Sequence, residues 1–375
     1  MQRPIALTEA VHIEPLVELA NYVEENSTHP SRRLHVIGIT GTNGKTTVAY
    51  LIGEVLKAAG FNPFVLGTLN SGNKDLSTPE PSDILCFMEA HLKRGGTHFI
   101  MEVTSEGIDQ ARILGIDFDI KLLTNITRDH LDYHKTFPIY KKVKMDFMKD
   151  GEAHKVYPQN FAGETIGFTT QLLGDYNLLN MKAAANVLRH MAVSEERISQ
   201  TLSSCAAPKG RLERVDMGQP YLVLIDYAHT PDALENVLST AKQIALTRGG
   251  ELLVLFGCGG NRDSGKRAEM GKVASEIADF MVLTDDNPRQ EESQDILAQI
   301  NEGIAADFYD YTMIPNRREA IDFLVNRSQS DDVIVLAGKG HETYQTLKSG
   351  TIHFDDREEV SEAISIRLGG IIEMH

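Results

Sequence analysis

Residues 37–50, IGITGTNGKTTVAY, carry an apolar run into a glycine-rich turn, then Lys45, Thr46 and Thr47, then the start of a helical pattern. Glycines at 38, 41 and 44 let backbone N–H groups approach a phosphate. Lys45 brings charge to the terminal phosphates, and Thr46 offers a hydroxyl to magnesium. Gly41, Thr42, Asn43, Gly44, Lys45, Thr46 and Thr47 are therefore the expected nucleotide cradle. Position 39 is Ile, so the spacing is not the standard G-x-x-x-x-G-K form. The alternative reading is a tight strand-to-helix turn with no ligand.

Outward from this stretch, short apolar runs alternate with amphipathic ones. LHVIGIT (34–40), THFIMEVT (97–104) and DIKLLTNI (119–126) read as strands, and TTVAYLIGEVLKAAG (46–60) and NLLNMKAAANVLRHM (177–191) as helices. Such alternation predicts an α/β fold with a mostly parallel sheet and crossover helices. A second α/β unit is expected from Pro208, with strands in YLVLIDYA, ELLVLFG, DFMVLTDD and DVIVLAGKG. The expected organisation is a helical remnant or linker over 1–33, a central P-loop-type ATP-binding domain over 34–207, and a Rossmann-like domain over 208–375. Helical spacing marks 13–25, and 149–173 reads as irregular.

The chain has 375 residues, more than one ordinary core accommodates. Its formal net charge of −16 argues against general binding to nucleic acid or to an anionic membrane surface. Three cysteines, Cys86, Cys205 and Cys258, lie far apart without metal-type spacing, which fits a reducing compartment. No signal-type segment or membrane-length apolar run occurs, so a cytoplasmic protein without membrane insertion is expected.

Further polar groups fall at strand ends. Glu102 ends an apolar strand, where a carboxylate either holds magnesium or is a solvated cap. TNITRDHLDYH (124–134) gathers Asn125, Asp129, His130, Asp132 and His134, a set that can bind metal or cap the next helix. In YKKVKMDFM (140–148), Tyr140, Val143 and Phe147 share an apolar face, and the lysines ordinarily form a solvated one. One of those lysines can react if desolvation keeps it neutral. Asn177 and Asn180 can reach a base edge or cap a helix. In the second unit Asp226 and His229, Arg262, then Asp286, Asn287 and Arg289, then Gly338, Lys339 and Glu342 follow four successive strands, which suggests a second ligand surface.

GITGTNGKTT, STPE, MEVTSEGIDQAR, TNITRDHLDYH, YKKVKMDF, GRLERV, DYAHTPDAL, GCGGNRDSGKR, DDNPR and GKGHETYQ occur in the order found in Mur ligases. The chain resembles that family from about His29 to Gln345, and most closely its tripeptide-synthetase branch. The resemblance implies ATP-dependent amide-bond formation through an acyl phosphate, with ATP and Mg2+ as cofactors. It further implies addition of meso-diaminopimelate to UDP-N-acetylmuramoyl-L-Ala-D-Glu in peptidoglycan precursor synthesis. It casts Lys45, Glu102, His130, Lys144 and Arg211 as catalytic, Thr46, Glu102, His130 and Lys144 as metal ligands, and Lys144 as a carbamate. Asn177, Asn180, Arg211, Asp226 and His229 would serve the nucleotide, and Thr78, Arg262, Asp286, Asn287, Arg289, Gly338 and Glu342 the substrates. Arg289 suits a second carboxylate on the incoming amino acid and repels the ammonium of lysine. Glu106 stands where the family carries His, so no role is carried to it. Only about thirty residues precede the ATPase domain where the family has a complete UDP-binding domain, so a partner supplying that function is an expectation. Relatives acting on folate, polyglutamate or cofactor acids, and a nucleotide-binding subunit without catalysis, are the alternatives. Intact Glu102, His130 and Lys144 weigh against the last.

Overall fold

The computed structural model describes residues 29–71 and 76–372, so the helix expected over 13–25 lies outside the described residues. The chain divides into two compact units. The first runs through Leu172 and includes Tyr176–Ala206; the second comprises Leu173–Asp175 and Ala207–His375.

In the first unit, β1 (His35–Thr40), β2 (Pro63–Leu66), β3 (His98–Glu102), β4 (Ile120–Leu123) and β5 (His154–Val156) form one parallel sheet in the order β2-β3-β1-β4-β5. Crossovers leave β1 in opposite directions, which makes its carboxyl end a topological switch point. The registers Ile39↔Glu102 and Thr40↔Leu123 bring the ends of β3 and β4 level with that point. The helix Lys45–Ala58 buries Val48, Leu51, Ile52, Val55 and Leu56. The core beneath collects Val36, Leu66, Met88, Phe99, Met101, Phe147 and Met148.

The second unit carries β6 (Glu213–Val215), β7 (Leu222–Asp226), β8 (Leu252–Phe256), β9 (Phe280–Leu283), β10 (Tyr311–Met313) and β11 (Val333–Ala337) in the order β10-β9-β8-β11-β7-β6. Only β6 runs antiparallel. A separate hairpin pairs β12 (Tyr344–Leu347) with β13 (Gly350–His353). β8, β9 and β11 are buried along their whole length, as continuous apolar strands covered on both faces must be.

The span 149–173 holds two short elements, β5 and the helix Pro158–Phe161, so irregularity there is incomplete. The three residues of β5 are too few to show a period. Among the described residues no helix is long and apolar enough to cross a membrane.

Candidate active site

In the first unit the loop after β1 is shaped by what crowds it. Gly41 sits at φ +146, and a Cβ there would fall 1.9 Å from Thr124 Oγ1. Gly44, at φ +87, opens the helix Lys45–Ala58 with Asn180 packed against it. Asn125 clamps the loop, accepting from Asn43 N at 2.9 Å and donating to Asn43 O at 3.1 Å. Thr42 Oγ1 donates to Thr127 O at 3.1 Å and lies 2.8 Å from the Tyr140 hydroxyl. Lys45 Nζ donates to Gly41 O and Thr42 O, both at 2.9 Å, so the ammonium is held inside the turn. Thr46 and Thr47 are buried in the first helical turn. Glycine-opened backbone at a helix N-terminus is an anion site in outline.

Glu102, buried at the end of β3, accepts from Thr46 Oγ1 at 3.0 and 3.1 Å and from Thr68 N at 2.8 Å, with Thr68 Oγ1 at 3.1 Å. This grouping of one carboxylate and two hydroxyls fits a hard divalent cation such as Mg2+. Lys144 is 1% exposed; its Nζ donates to Gly41 O at 3.0 Å. The helix Phe137–Lys149 buries Tyr140, Lys144, Phe147 and Met148, so Lys144 lies on the apolar stripe itself rather than on a solvated face. Burial, and then the charge of Lys45, hold its pKa well below the usual lysine value. A neutral amine at this position can take up CO2, and only the resulting carbamate would suit a cation site.

His130 adopts φ +53 and places Nδ1 2.6 Å from Glu106 Oε1 and Nε2 3.3 Å from Asp129 Oδ2. Burial works against its charged form, but Asp129 and then Glu106 outweigh it and the pKa rises. Glu106, which has no role by resemblance, is thus the partner of His130; a contact across 24 residues leaves no local signal. The 124–134 stretch does not gather as a metal cluster. Among the described residues no group of three or more His, Cys, Asp or Glu is placed to hold an ion. Asn125 turns to the phosphate loop, and His134 packs on the Tyr140 ring at 5.6 Å.

Asn180 Nδ2 donates to Asn177 Oδ1 at 3.1 Å, and both are buried in the helix Asp175–His190. Thr78 is expected on the substrate side. It is fully buried, donating to Glu102 O at 2.9 Å and accepting from Thr104 N at 2.9 Å, and so braces the end of β3.

In the second unit, Asp226 at the end of β7 accepts from Leu212 N at 2.7 Å and Ala228 N at 2.8 Å. Burial pushes its pKa up to about 6, against the opposing charge of Arg211. The Arg211 guanidinium stacks 4.8 Å from the Tyr227 ring, and His229 Nδ1 lies 2.8 Å from Tyr227 O.

The loops after β8, β9 and β11 meet at Asn287. Its Nδ2 donates to Asp286 Oδ1 and Glu342 Oε2, both at 2.9 Å, and its Oδ1 accepts from Thr346 N at 2.8 Å. Lys339, fully buried, donates to Glu342 at 3.1 Å. Burial, and then Asp286, raise the pKa of Glu342. Gly338, at φ +105, lies against Asp286 Oδ2. Arg289 Nη1 donates to Gly260 O at 3.0 Å, and Arg289 and Arg262 both flank Gly259. This surface therefore offers the Arg289 guanidinium and the Arg262 side chain about one turn, with a carboxylate network beside them, a set suited to a zwitterion.

Residues 39–160 match the Mur ligase middle domain, and residues 210–340 match the Mur ligase, glutamate ligase domain. A UDP-N-acetylmuramoyl-L-alanyl-D-glutamate--2,6-diaminopimelate ligase of Bacillus cereus is 35% identical over 410 aligned positions, covering 94% of this chain and 82% of the relative. The enzyme of the same name from Clostridium perfringens is 36% identical, covering 90% of this chain and 79% of the relative. A solved structure of a ligase of that name aligns with a TM-score of 0.56 at 29% identity, covering 92% of this chain and 81% of the other. A folylpolyglutamate synthase from Mycobacterium tuberculosis, complexed with ADP and AMPPCP, aligns with a TM-score of 0.63 at 16% identity, covering 87% of this chain and 96% of the other; at that identity the likeness is one of fold.

Proposed function

The chain belongs to the Mur ligase family, a family of ATP-dependent ligases, and from that premise we propose that it adds meso-diaminopimelate to UDP-N-acetylmuramoyl-L-Ala-D-Glu in peptidoglycan precursor synthesis. The observation that carries the amino-acid choice is the pairing of Arg262 and Arg289 about Gly259, joined through Asn287 to Glu342. Diaminopimelate ends in both a carboxylate and an ammonium. The guanidinium groups suit the first and Glu342 the second. Lysine ends in an ammonium alone and leaves the arginines without a partner.

The acceptor carboxylate attacks the γ-phosphorus of ATP, the bond to ADP breaks, and an acyl phosphate forms. The amine of the incoming amino acid then attacks the acyl carbon, and phosphate leaves as the amide forms. Two anions must meet in the first step. Lys45 would exchange its loop carbonyls for the terminal phosphates, and the loop N–H groups fix the chain of phosphates in line. Asn177 and Asn180 would serve the base side of the nucleotide, and Arg211, Asp226 and His229 remain proposed nucleotide groups of the second unit. Thr46 and Glu102 would hold a first magnesium and the carbamate of Lys144 a second, with His130 a ligand once it releases Glu106 and its proton; the metal supplies positive charge to screen carboxylate from triphosphate. To form that carbamate, neutral Nζ attacks CO2, an N–C bond forms and one proton leaves to water. Carbon-13 bicarbonate should then yield a carbamate resonance that Lys144→Arg abolishes.

The proposed reaction, with ATP and a nucleotide-linked acceptor as substrates, would run in the cytoplasm. No described residue is assigned to the uridine end of the acceptor, and a second protein holding that end is part of the proposal. Its signature is an acceptor KM no better than that of the same muramoyl dipeptide without UDP. The deciding experiment measures phosphate release from ATP with the UDP-linked dipeptide, comparing meso-diaminopimelate with L-lysine and weighing the product. Release and a tripeptide dependent on meso-diaminopimelate are expected; equal turnover of lysine, or none with either, overturns the reading.

A further inference from the structure

Behind the surface that carries Arg262 and Arg289 lies a side chain with no assigned role. Arg267, in the helix Gly265–Ile277, is 0% exposed. Its Nη1 donates to Glu291 Oε2 at 2.7 Å and Gln299 Oε1 at 3.0 Å. Its Nη2 donates to Glu291 Oε1 at 3.1 Å and to Gly259 O at 3.0 Å. Glu291 in turn accepts from Asn261 N, and Asn261 Oδ1 accepts from Gln290 N at 3.1 Å. Gly260 N donates to Asn287 O at 2.9 Å.

The turn after β8, which bears Arg262, is thus tied to the turn after β9, which bears Arg289, by direct backbone and Asn261 bonds and by a guanidinium–carboxylate pair whose arginine is buried. The pair is bidentate, so it fixes orientation as well as distance. Arg289 needs such support. It sits at φ +53, and among the described residues its guanidinium donates to the Gly260 and Asn287 carbonyls. Those carbonyls belong to the same two turns.

We propose that Arg267 is a positioning residue for the amino-acid site: through Glu291 and the Gly259 carbonyl it sets the separation of Arg262 and Arg289, and with it the selectivity for an amino acid bearing a carboxylate at its far end. This rests on the function proposed above and names the device that enforces it. A monodentate replacement leaves charge in place and frees the turns to drift, and small misplacements of a binding group cost large factors.

The test uses the full chain with Arg267→Lys, Glu291→Gln and the double variant. In each, KM for meso-diaminopimelate should rise about tenfold or more, while KM for ATP holds and kcat changes little. The ratio of kcat/KM for meso-diaminopimelate over L-lysine should fall by the same factor. The double variant should be no worse than either single one, because the two residues act as a unit. Glu291 is 30% exposed, so Glu291→Gln serves if the buried substitution fails to fold. Hydrogen exchange at the Gly260 and Asn261 amides should quicken in both variants. A parallel fall in kcat, ATP affinity and melting temperature would mark a merely structural role and overturn the proposal, as would unchanged selectivity. Wild-type chain that uses neither amino acid overturns the function itself; exchange at Gly260 and Asn261 still decides whether the pair holds the two turns.

Discussion

Gly41 is crowded by the Thr124 hydroxyl and, at 3.0 and 3.1 Å from a Cβ placed there, by the backbone of Asn125. The residue sits at φ +146, and its absent Cβ would lie 1.9 Å from Thr124 Oγ1. Gly41→Ala therefore meets both a steric overlap and a strained backbone. Strain of this type costs about 1–3 kcal/mol, and the overlap adds to it. We expect a melting temperature lowered accordingly and weaker ATP binding by titration calorimetry. Adding Thr124→Ala removes the hydroxyl and should recover part of the stability, leaving the backbone share; full recovery would show that φ was unimportant. Glycine, Lys45 and Thr46 were legible in sequence because a phosphate loop is contiguous. Glu106 beside His130, and Arg267 beside Glu291, were not, since each pair is joined only by the fold.

Among elements, legibility followed length and context. β8 and β11 are five-residue apolar runs and announce themselves, whereas β2, β6 and β10 have three or four residues with Pro or polar members. The exposed strand β13 has no apolar face to reveal it. The spacing over 140–148 predicts an amphipathic helix, which Phe137–Lys149 forms, but it does not place Lys144 within the buried stripe, because a lysine counts as polar in any periodicity. That helix has a specific stop. Lys121 on β4 donates to Phe147 O at 2.9 Å and Asp150 O at 2.8 Å, satisfying carbonyls left over at the helix end. Lys121→Met keeps most of the volume and removes both bonds, at a cost of about 1–2 kcal/mol. Hydrogen exchange should quicken in the last turn of this helix and remain unchanged in the helix Pro231–Arg248 of the other unit. Equal quickening in both would contradict a local cap.

For the molecule as a whole, two units with separate sheets and separate cores mean that acid need not act on them alike. At the amino ends of β1 and β3, His98 stacks on His35 at 5.2 Å, contacts Phe61 edge-on at 4.7 Å, and places Nδ1 2.8 Å from Thr97 Oγ1. It is 4% exposed, and burial, followed by the charge of His35, lowers its pKa to about 4. The pKa of neighbouring His91 is lowered as well, by burial first. A histidine whose folded pKa lies below its unfolded value binds fewer protons folded than unfolded between the two. The contribution of His98 is therefore fully present above pH 6.5 and is lost as pH falls toward 4. The share of His98 is about 3 kcal/mol across that window. His98→Phe keeps the ring stack and removes the titration, so it should flatten the decline by that amount while leaving the carboxylate-driven loss at lower pH. The measurement is amide exchange in β1 and β3 against β8 and β11 at a series of pH values. Protection lost in β1 and β3 first, and regained there in the variant, is the expected outcome; a decline shared equally by both sheets, or one that His98→Phe leaves untouched, would assign acid sensitivity to other groups.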